Sequence, residues 1–333
     1  MSTWKSKWAL GLILAVLAVS LALGAAVWHF ASNYEKTASV YMKSLDWILP
    51  LSTDYQYISI DESSDGLYLC RKKDQIDYRD PAGKLVQNVS LTEYEANSVP
   101  YVETRDQLDW KTYKGRKIHA IWSVDEDTYA VSFKGKKPED GVSGYMLFDR
   151  NMKPVLEDRM FEVILEESDD MRYFISSETD FDGRPAKKEC GFLDAAGDVA
   201  FIFDHIPRCV NSFSEGLALV YDDKLYGYDK DGIIVFALDY TGNGIAANQR
   251  QNYEEDTTYS PYYTRFSDGL APVTLDGEKM GYIDTEGKMA VEPLFKEAGL
   301  VLDGTAAVCL IQSDSPSTLV KSRWGILNLK GVQ

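Results

Sequence analysis

Any chemistry performed by this 333-residue chain would have to come from carboxylates, because histidine is scarce and acids are abundant. Of the three histidines, His29 lies in an apolar stretch near the N-terminus, which leaves His119 and His205 far apart in sequence. They come with no Gly-x-Ser-x-Gly elbow, no HExxH helix and no phosphate- or dinucleotide-binding glycine pattern. Acyl transfer, zinc proteolysis and nucleotide chemistry therefore have no motif to rest on. The 52 Asp and Glu residues leave open a pair of acids working on a glycosidic bond, but spacing singles out no two of them. Asp180-Phe181-Asp182-Gly183 and Asp229-Lys230-Asp231-Gly232 set alternating Asp oxygens before a glycine, as calcium loops do. Both lack the further ligands and the distal bidentate Glu of such loops, and they read as turns. The acid runs at 125–127, 166–170 and 254–256 read as solvated loops. No catalytic residue, metal ligand or cofactor is assigned.

Residues suited to recognition are easier to find. The polar stretch Tyr240–Tyr263 carries Gly242-Asn243-Gly244 and five tyrosines, Tyr240, Tyr253, Tyr259, Tyr262 and Tyr263. Stiff amphipathic rings on a long loop suit contact with a sugar or another protein; the competing reading packs the same rings along a strand edge. Lys134-Gly135-Lys136-Lys137 is a basic turn in an otherwise acidic body. Cys70, Cys190, Cys209 and Cys309 show no CxxC spacing and read as small buried apolar residues. A Cys190–Cys209 disulfide stays open outside the cytoplasm.

Charge and hydropathy divide the chain. The net charge is −17 and every acid lies beyond residue 30, so the body would repel a phosphate backbone and nucleic acid is excluded as a partner. Seven Trp, 21 Tyr and 13 Phe are enough to fill a core, which argues against disorder. From Trp8 to Phe30 there is no charged residue, and as a helix this stretch reaches about 34 Å, enough to span a bilayer. The expected order is a cytoplasmic end at 1–7, a transmembrane signal anchor at 8–30, a stalk or linker at 31–54, and an extracytoplasmic domain at 55–333. Lys5 and Lys7 ahead of the span orient it. Cleavage near Gly24-Ala25-Ala26, giving a secreted protein, is the alternative.

The body is organised by a repeat. Phe213-Ser214-Glu215-Gly216-Leu217-Ala218-Leu219-Val220 returns as Phe266-Ser267-Asp268-Gly269-Leu270-Ala271-Pro272-Val273, and more weakly as the segment 301–308. A second element follows each copy: Tyr226-Gly227-Tyr228-Asp229, Met280-Gly281-Tyr282-Ile283-Asp284 and Trp324-Gly325-Ile326-Leu327-Asn328, with Cys190-Gly191-Phe192-Leu193-Asp194 in the same set. Each ends in an Asp/Asn-x-x-Gly turn: Asp194 with Gly197, Asp229 with Gly232, Asp284 with Gly287, and Asn328 with Gly331. Upstream, Asp80 with Gly83 repeats the pattern, and Asp149-Arg150-Asn151-Met152 repeats it without its glycine.

These elements resemble the bacterial WG-repeat family, named for the Trp-Gly pair that Trp324-Gly325 preserves. The resemblance covers the chain from about residue 190 onward and fades upstream. It implies a β-repeat that is often secreted or membrane-anchored and is not recognised as an enzyme.

Short apolar runs bounded by turn residues are strands, and Asp-x-x-Gly suits the hairpins joining them. Each unit is too small to bury its own faces and must lean on neighbours. Six irregular units predict an all-β repeat domain, a β-propeller-like ring of about six blades or an open, curved hairpin array. The last unit lacks a closing strand, which residues 45–52 or 55–60 can supply. The expected role is a membrane-anchored binding or scaffolding module for an unknown protein or envelope glycan. The alternatives are a carboxylate-dependent hydrolase and a purely structural envelope protein.

Overall fold

A computed structural model describes residues 42–61, 66–97, 110–124, 127–134, 144–156, 159–165, 167–241, 264–311 and 322–332. The chain divides into a short N-terminal unit, Met1–Trp47, and a body, Ile48–Gln333. In the first, the Trp47 indole donates to the Met42 carbonyl at 3.2 Å. Among the described residues no helix is long and apolar enough to cross a membrane, and the 8–30 span lies outside them.

The body is almost entirely antiparallel β-sheet. After β1 (Trp47–Ser52), a four-stranded sheet runs β2 (Tyr57–Asp61), β3 (Leu67–Arg71), β4 (Gln75–Arg79) and β5 (Leu85–Ser90), followed by the short helix α1 (Leu91–Asn97). An eight-stranded run follows: β6 (Thr112–Tyr113), β7 (Arg116–Ser123), β8 (Thr128–Phe133), β9 (Tyr145–Asp149), β10 (Phe161–Ile164), β11 (Met171–Ser176), β12 (Cys190–Asp194) and β13 (Val199–Ile202). Its middle is a weak joint, because β9 meets β10 through the single pair Tyr145–Phe161, so it behaves as two meanders. The fourth meander is β14 (Cys209–Val210), β15 (Leu217–Tyr221), β16 (Lys224–Asp229) and β17 (Ile234–Asp239). The fifth has three strands, β18 (Leu270–Thr274), β19 (Met280–Asp284) and β20 (Met289–Phe295). The sixth is β21 (Glu297–Leu302), β22 (Thr305–Ile311) and β23 (Ser322–Asn328). Its missing fourth strand is β1, placed beside β23. The first strand of the body thus completes the last sheet, and the other segment expected for that role forms β2 instead. Among the described residues no sheet closes on itself.

The Asp-x-x-Gly turns share one hydrogen-bond scheme. At Asp284, Oδ1 accepts from the backbone N–H of Glu286 (2.9 Å) and Lys288 (2.8 Å), while the Gly287 N–H donates to the Asp284 carbonyl at 3.0 Å. Asp194 and Asp229 repeat all three bonds. Asp80 and Asp180 keep the bond to the fourth residue on, and Asn328 keeps the one to the second. The turn glycines sit at φ from 76° to 84°, where a side chain is strained; in the degenerate copy Met152 takes that place itself at φ 61°. The two segments with calcium-loop character, at 180–183 and 229–232, are members of this turn set. Their first Asp is engaged with the backbone.

A second motif joins one unit to the next. The first two strands of a unit meet in a two-residue turn whose central positions both have positive φ, as at Glu215 (54°) and Gly216 (79°). The serine before that turn reaches forward: Ser168 Oγ donates to the Phe213 carbonyl (2.7 Å), Ser214 Oγ to Phe266 (2.7 Å) and Ser267 Oγ to Val301 (2.6 Å). The neighbouring acid reaches the same way, to the turn glycine of the next unit. Gly216 N–H donates to Asp169 Oδ2 (2.6 Å), Gly269 N–H to Glu215 Oε2 (2.9 Å) and Gly304 N–H to Asp268 Oδ2 (2.9 Å). Where the serine is replaced by Leu302, Tyr68 of the first unit and Thr305 of the sixth share a hydroxyl bond at 2.9 Å.

Between these latches lie apolar seams, each filled by two adjacent units. One packs Tyr173, Phe192, Phe213 and Val220, another Tyr221, Phe236, Phe266 and Ile283, and a third Ile58, Tyr68, Trp324 and Ile326. The glycine beside the plug residue lets partners close in: a Cβ on Gly281 would stand 2.3 Å from the Val291 carbonyl oxygen, and one on Gly191 2.1 Å from that of Phe201.

Candidate functional site

Strand alternation gives the body two unlike ends. In a meander, the turns after the first and third strands fall at one end, while those after the second strand and the links between units fall at the other. The serine–acid–glycine turns, which tie units together, and the Asp-x-x-Gly turns after the third strands occupy the first end, while the Asp180 turn lies within the 177–189 connection at the second. The long connections 134–144, 177–189, 242–263 and 312–321 all leave from the second. A rigid scaffold carrying long loops at one end concentrates binding residues there.

At this loop end, where the second and third meanders meet, a hollow of about 620 Å³ is lined by His119, Trp122, Ser132, Tyr145 and Glu162. Trp122 and Tyr145 stand edge to face with ring centroids 5.1 Å apart. Gly144 adjoins them at φ 94°, with the Phe161 carbonyl oxygen 2.5 Å from where a Cβ would be, so only glycine lets β9 begin this close to β10. Burial pushes the Tyr145 hydroxyl well above its ordinary range, against a smaller lowering by the Ile164 backbone, so it remains a neutral donor. On the rim, Glu162 pairs with Lys188 at 2.5 Å. Two aromatic walls with a few convergent polar groups can stack and orient a sugar or a protruding side chain.

A hollow of about 570 Å³ at the turn end, lined by Asp80, Asp268, Asp303 and Lys330, has a different character. Asp80 there accepts from Lys84 N–H and Asp268 from Gly304 N–H, so both acids hold turns. Among the described residues no group of three or more His, Cys, Asp or Glu could hold a metal ion.

The residues singled out by sequence are distributed unevenly. Tyr240 is 9% exposed and packs against Tyr221 with centroids 5.4 Å apart, so it sits in the core at the root of the insertion. Tyr253, Tyr259, Tyr262 and Tyr263 lie outside the described residues, as do 135–137 of the basic turn. His205 Nε2 lies 2.5 Å from Asp222 Oδ2, an exposed pair with the look of an acid–base dyad. The nearby thiol does not supply a nucleophile: Cys190 Sγ is engaged with the His205 carbonyl at 3.3 Å, and burial pushes its pKa up to about 11. None of the four cysteines, all described, is in a disulfide. Trp122 and Tyr145 escaped the sequence reading because they belong to the stretch where the repeat is weakest. Their only signal is an aromatic near the edge of each of two short apolar runs, with a third run between them.

Residues 280–310, which hold β19 to β21 and most of β22, match the WG containing repeat. The chain carries a WG-type β-repeat. Its plug position is occupied by Met280, 1% exposed, and by Trp324, 5% exposed, each followed by the close-packing glycine. No curated protein matches the chain in sequence. Among solved structures it is similar to BamB from Moraxella catarrhalis, at 12% identity over 78% of this chain and 66% of that one, with a TM-score of 0.33. It is also similar to a streptogramin B lyase, at 14% identity over 85% and 98% of the two chains, TM-score 0.33. The Neurospora crassa Pan2 WD40 domain gives 11% identity over 66% and 65%, TM-score 0.32. The chain spans about two thirds of the length of the BamB chain, and likenesses this weak carry no argument about activity.

Proposed function

We propose that this chain is a six-bladed, propeller-like WG-repeat scaffold, held outside the cytoplasm by one N-terminal membrane span, that binds a protein or envelope glycan through its loop end. The observation that carries this reading is the division of labour between the two ends. One is consumed by bonds that tie unit to unit, while the other sends out the long connections and bears the Trp122–Tyr145 hollow. The uncharged stretch from Trp8 to Phe30 supports the anchor, and the acid-rich body supports a partner other than nucleic acid.

The test is crosslinking and pulldown from intact cells expressing the full chain. Trp122→Ala, or Tyr259→Ala together with Tyr262→Ala, should abolish capture of partners that Lys330→Ala, at the turn end, leaves in place. Equal capture by all three variants would remove the loop end as the binding surface. Protease added to intact cells should digest the body, and a protected body would overturn the topology.

A further inference from the structure

The Trp122–Tyr145 hollow is shaped by the order of large and small residues across three strands. Ala120 of β7 lies opposite Ser132 of β8, and Ser132 lies opposite Tyr145 of β9; two residues along, Trp122 lies opposite Ala130. Cross-strand partners share a face, as do residues two apart, so these five side chains project to one side of the sheet. The two rings meet above alanine and serine neighbours, and the hollow is the space those small residues leave.

Both polar residues on its rim are placed there by irregular pairing. The β7–β8 ladder pairs Ile118 with Phe133 and then Ala120 with Ser132, which leaves His119 as the extra residue of a bulge. The β10–β11 ladder pairs Phe161 with Ser176 and then Val163 with Ile175, which does the same for Glu162. A bulge turns a side chain out of the alternation it would otherwise follow, and here two of them deliver polar groups to one hollow.

Ser132 points to a ligand. It is 5% exposed, its hydroxyl has no hydrogen-bond partner among the described residues, and it lines the hollow instead of being sealed behind it. A buried hydroxyl left unmatched is costly, so a ligand that fills the space must bring a polar group to meet it. The Glu162 carboxylate is already matched by Lys188 at 2.5 Å, so it does not call for a cationic ligand.

We infer that this hollow binds a neutral sugar ring, with Trp122 and Tyr145 against its apolar face and Ser132, His119 and Glu162 meeting its hydroxyls. The inference rests on the loop end being the binding surface and, within that reading, selects glycan over protein. A pyranose combines a face of C–H groups with hydroxyls spaced around its edge, enough to satisfy polar groups on different sides of the hollow. A protruding protein side chain carries its polar atoms at one tip and would leave part of the set unmatched.

The test is calorimetric titration of the full chain, purified in a sugar-free detergent, with maltose, cellobiose, N,N′-diacetylchitobiose and, as a stand-in for a protein side chain, N-acetyl-tyrosine amide. At least one disaccharide should bind saturably, and Trp122→Ala should abolish that binding. Ser132→Ala should weaken it about five-fold, the loss of one neutral hydrogen bond, while unfolding at or above the wild-type temperature, since the hydroxyl has no internal partner to lose. The inference is overturned if no disaccharide binds, if Ser132→Ala binds as tightly as wild type, or if that variant unfolds several degrees below wild type. Binding of N-acetyl-tyrosine amide without any sugar would also overturn it, yet would leave the loop end as the binding surface; only Trp122-independent capture in the pulldown removes that wider reading.

Discussion

Replacing Ser267 by alanine removes one hydroxyl from a half-buried turn, yet the loss falls on a different unit. Ser267 Oγ donates at 2.6 Å to the carbonyl of Val301, a residue 2% exposed, so water cannot readily take its place. A neutral hydrogen bond contributes about 1 kcal/mol net, and stranding a buried acceptor raises the cost toward 1.5 kcal/mol. For a body of this size that lowers the unfolding midpoint by about 3 to 5 °C. Ser214→Ala and Ser168→Ala break the same bond at two other seams, to Phe266 and Phe213, and should cost the same. The three bonds share no partners, so the triple variant should lose about 3 to 4.5 kcal/mol. Urea denaturation of the singles and the triple gives these values. Single effects below about 0.3 kcal/mol, or a triple no worse than one single, would refute the latch.

Other substitutions probe different parts of the account. Asp77 is buried beside Lys72 (2.8 Å), Asn88 (2.7 Å) and Arg79 (3.3 Å). Burial raises its carboxyl, but these partners outweigh it and hold the pKa below the ordinary range. Its stabilising contribution is therefore complete above the unfolded-state pKa and lost as pH falls through the depressed folded value. Asp77→Ala should cost about 3 kcal/mol at neutral pH and flatten the acid limb of a stability–pH curve. Gly281→Ala, forced against a backbone oxygen, should destabilise by several kcal/mol or prevent folding, whereas Gly216→Ala, with open space but φ 79°, should cost about 1 kcal/mol; equilibrium unfolding separates them. Burial pushes the Cys70 thiol up to about 12 and Cys190 up to about 11, so a thiol reagent at pH 8 should label both only as fast as the protein unfolds.

Much of the fold was legible because its turns are local. An Asp that bonds its own following backbone needs no tertiary context, so Asp80, Asp194, Asp229, Asp284 and Asn328 mark hairpin corners from sequence alone. Even the degenerate copy keeps the turn, with Met152 accepting the strained φ. The repeated Ser-acid-Gly was visible as a motif, but its purpose was not. Its bonds end 34 to 54 residues away, and only the packing of one unit on the next reveals them. Tyr240 counted as a loop residue by composition and is a core residue by position, because it lies where β17 still packs on Tyr221. Trp122 and Tyr145 gave little warning, since their hollow is built by segments that only the fold brings together.

The account turns on β1, which completes the last sheet with the first strand of the body. Hydrogen–deuterium exchange on the full chain tests this directly. Amides of Trp47–Ser52 should be protected to about the same free energy as those of β23, since the two strands are neighbours in one sheet. Exchange of that segment at the rate of an unstructured peptide, with β23 still protected, would mean that the array is open.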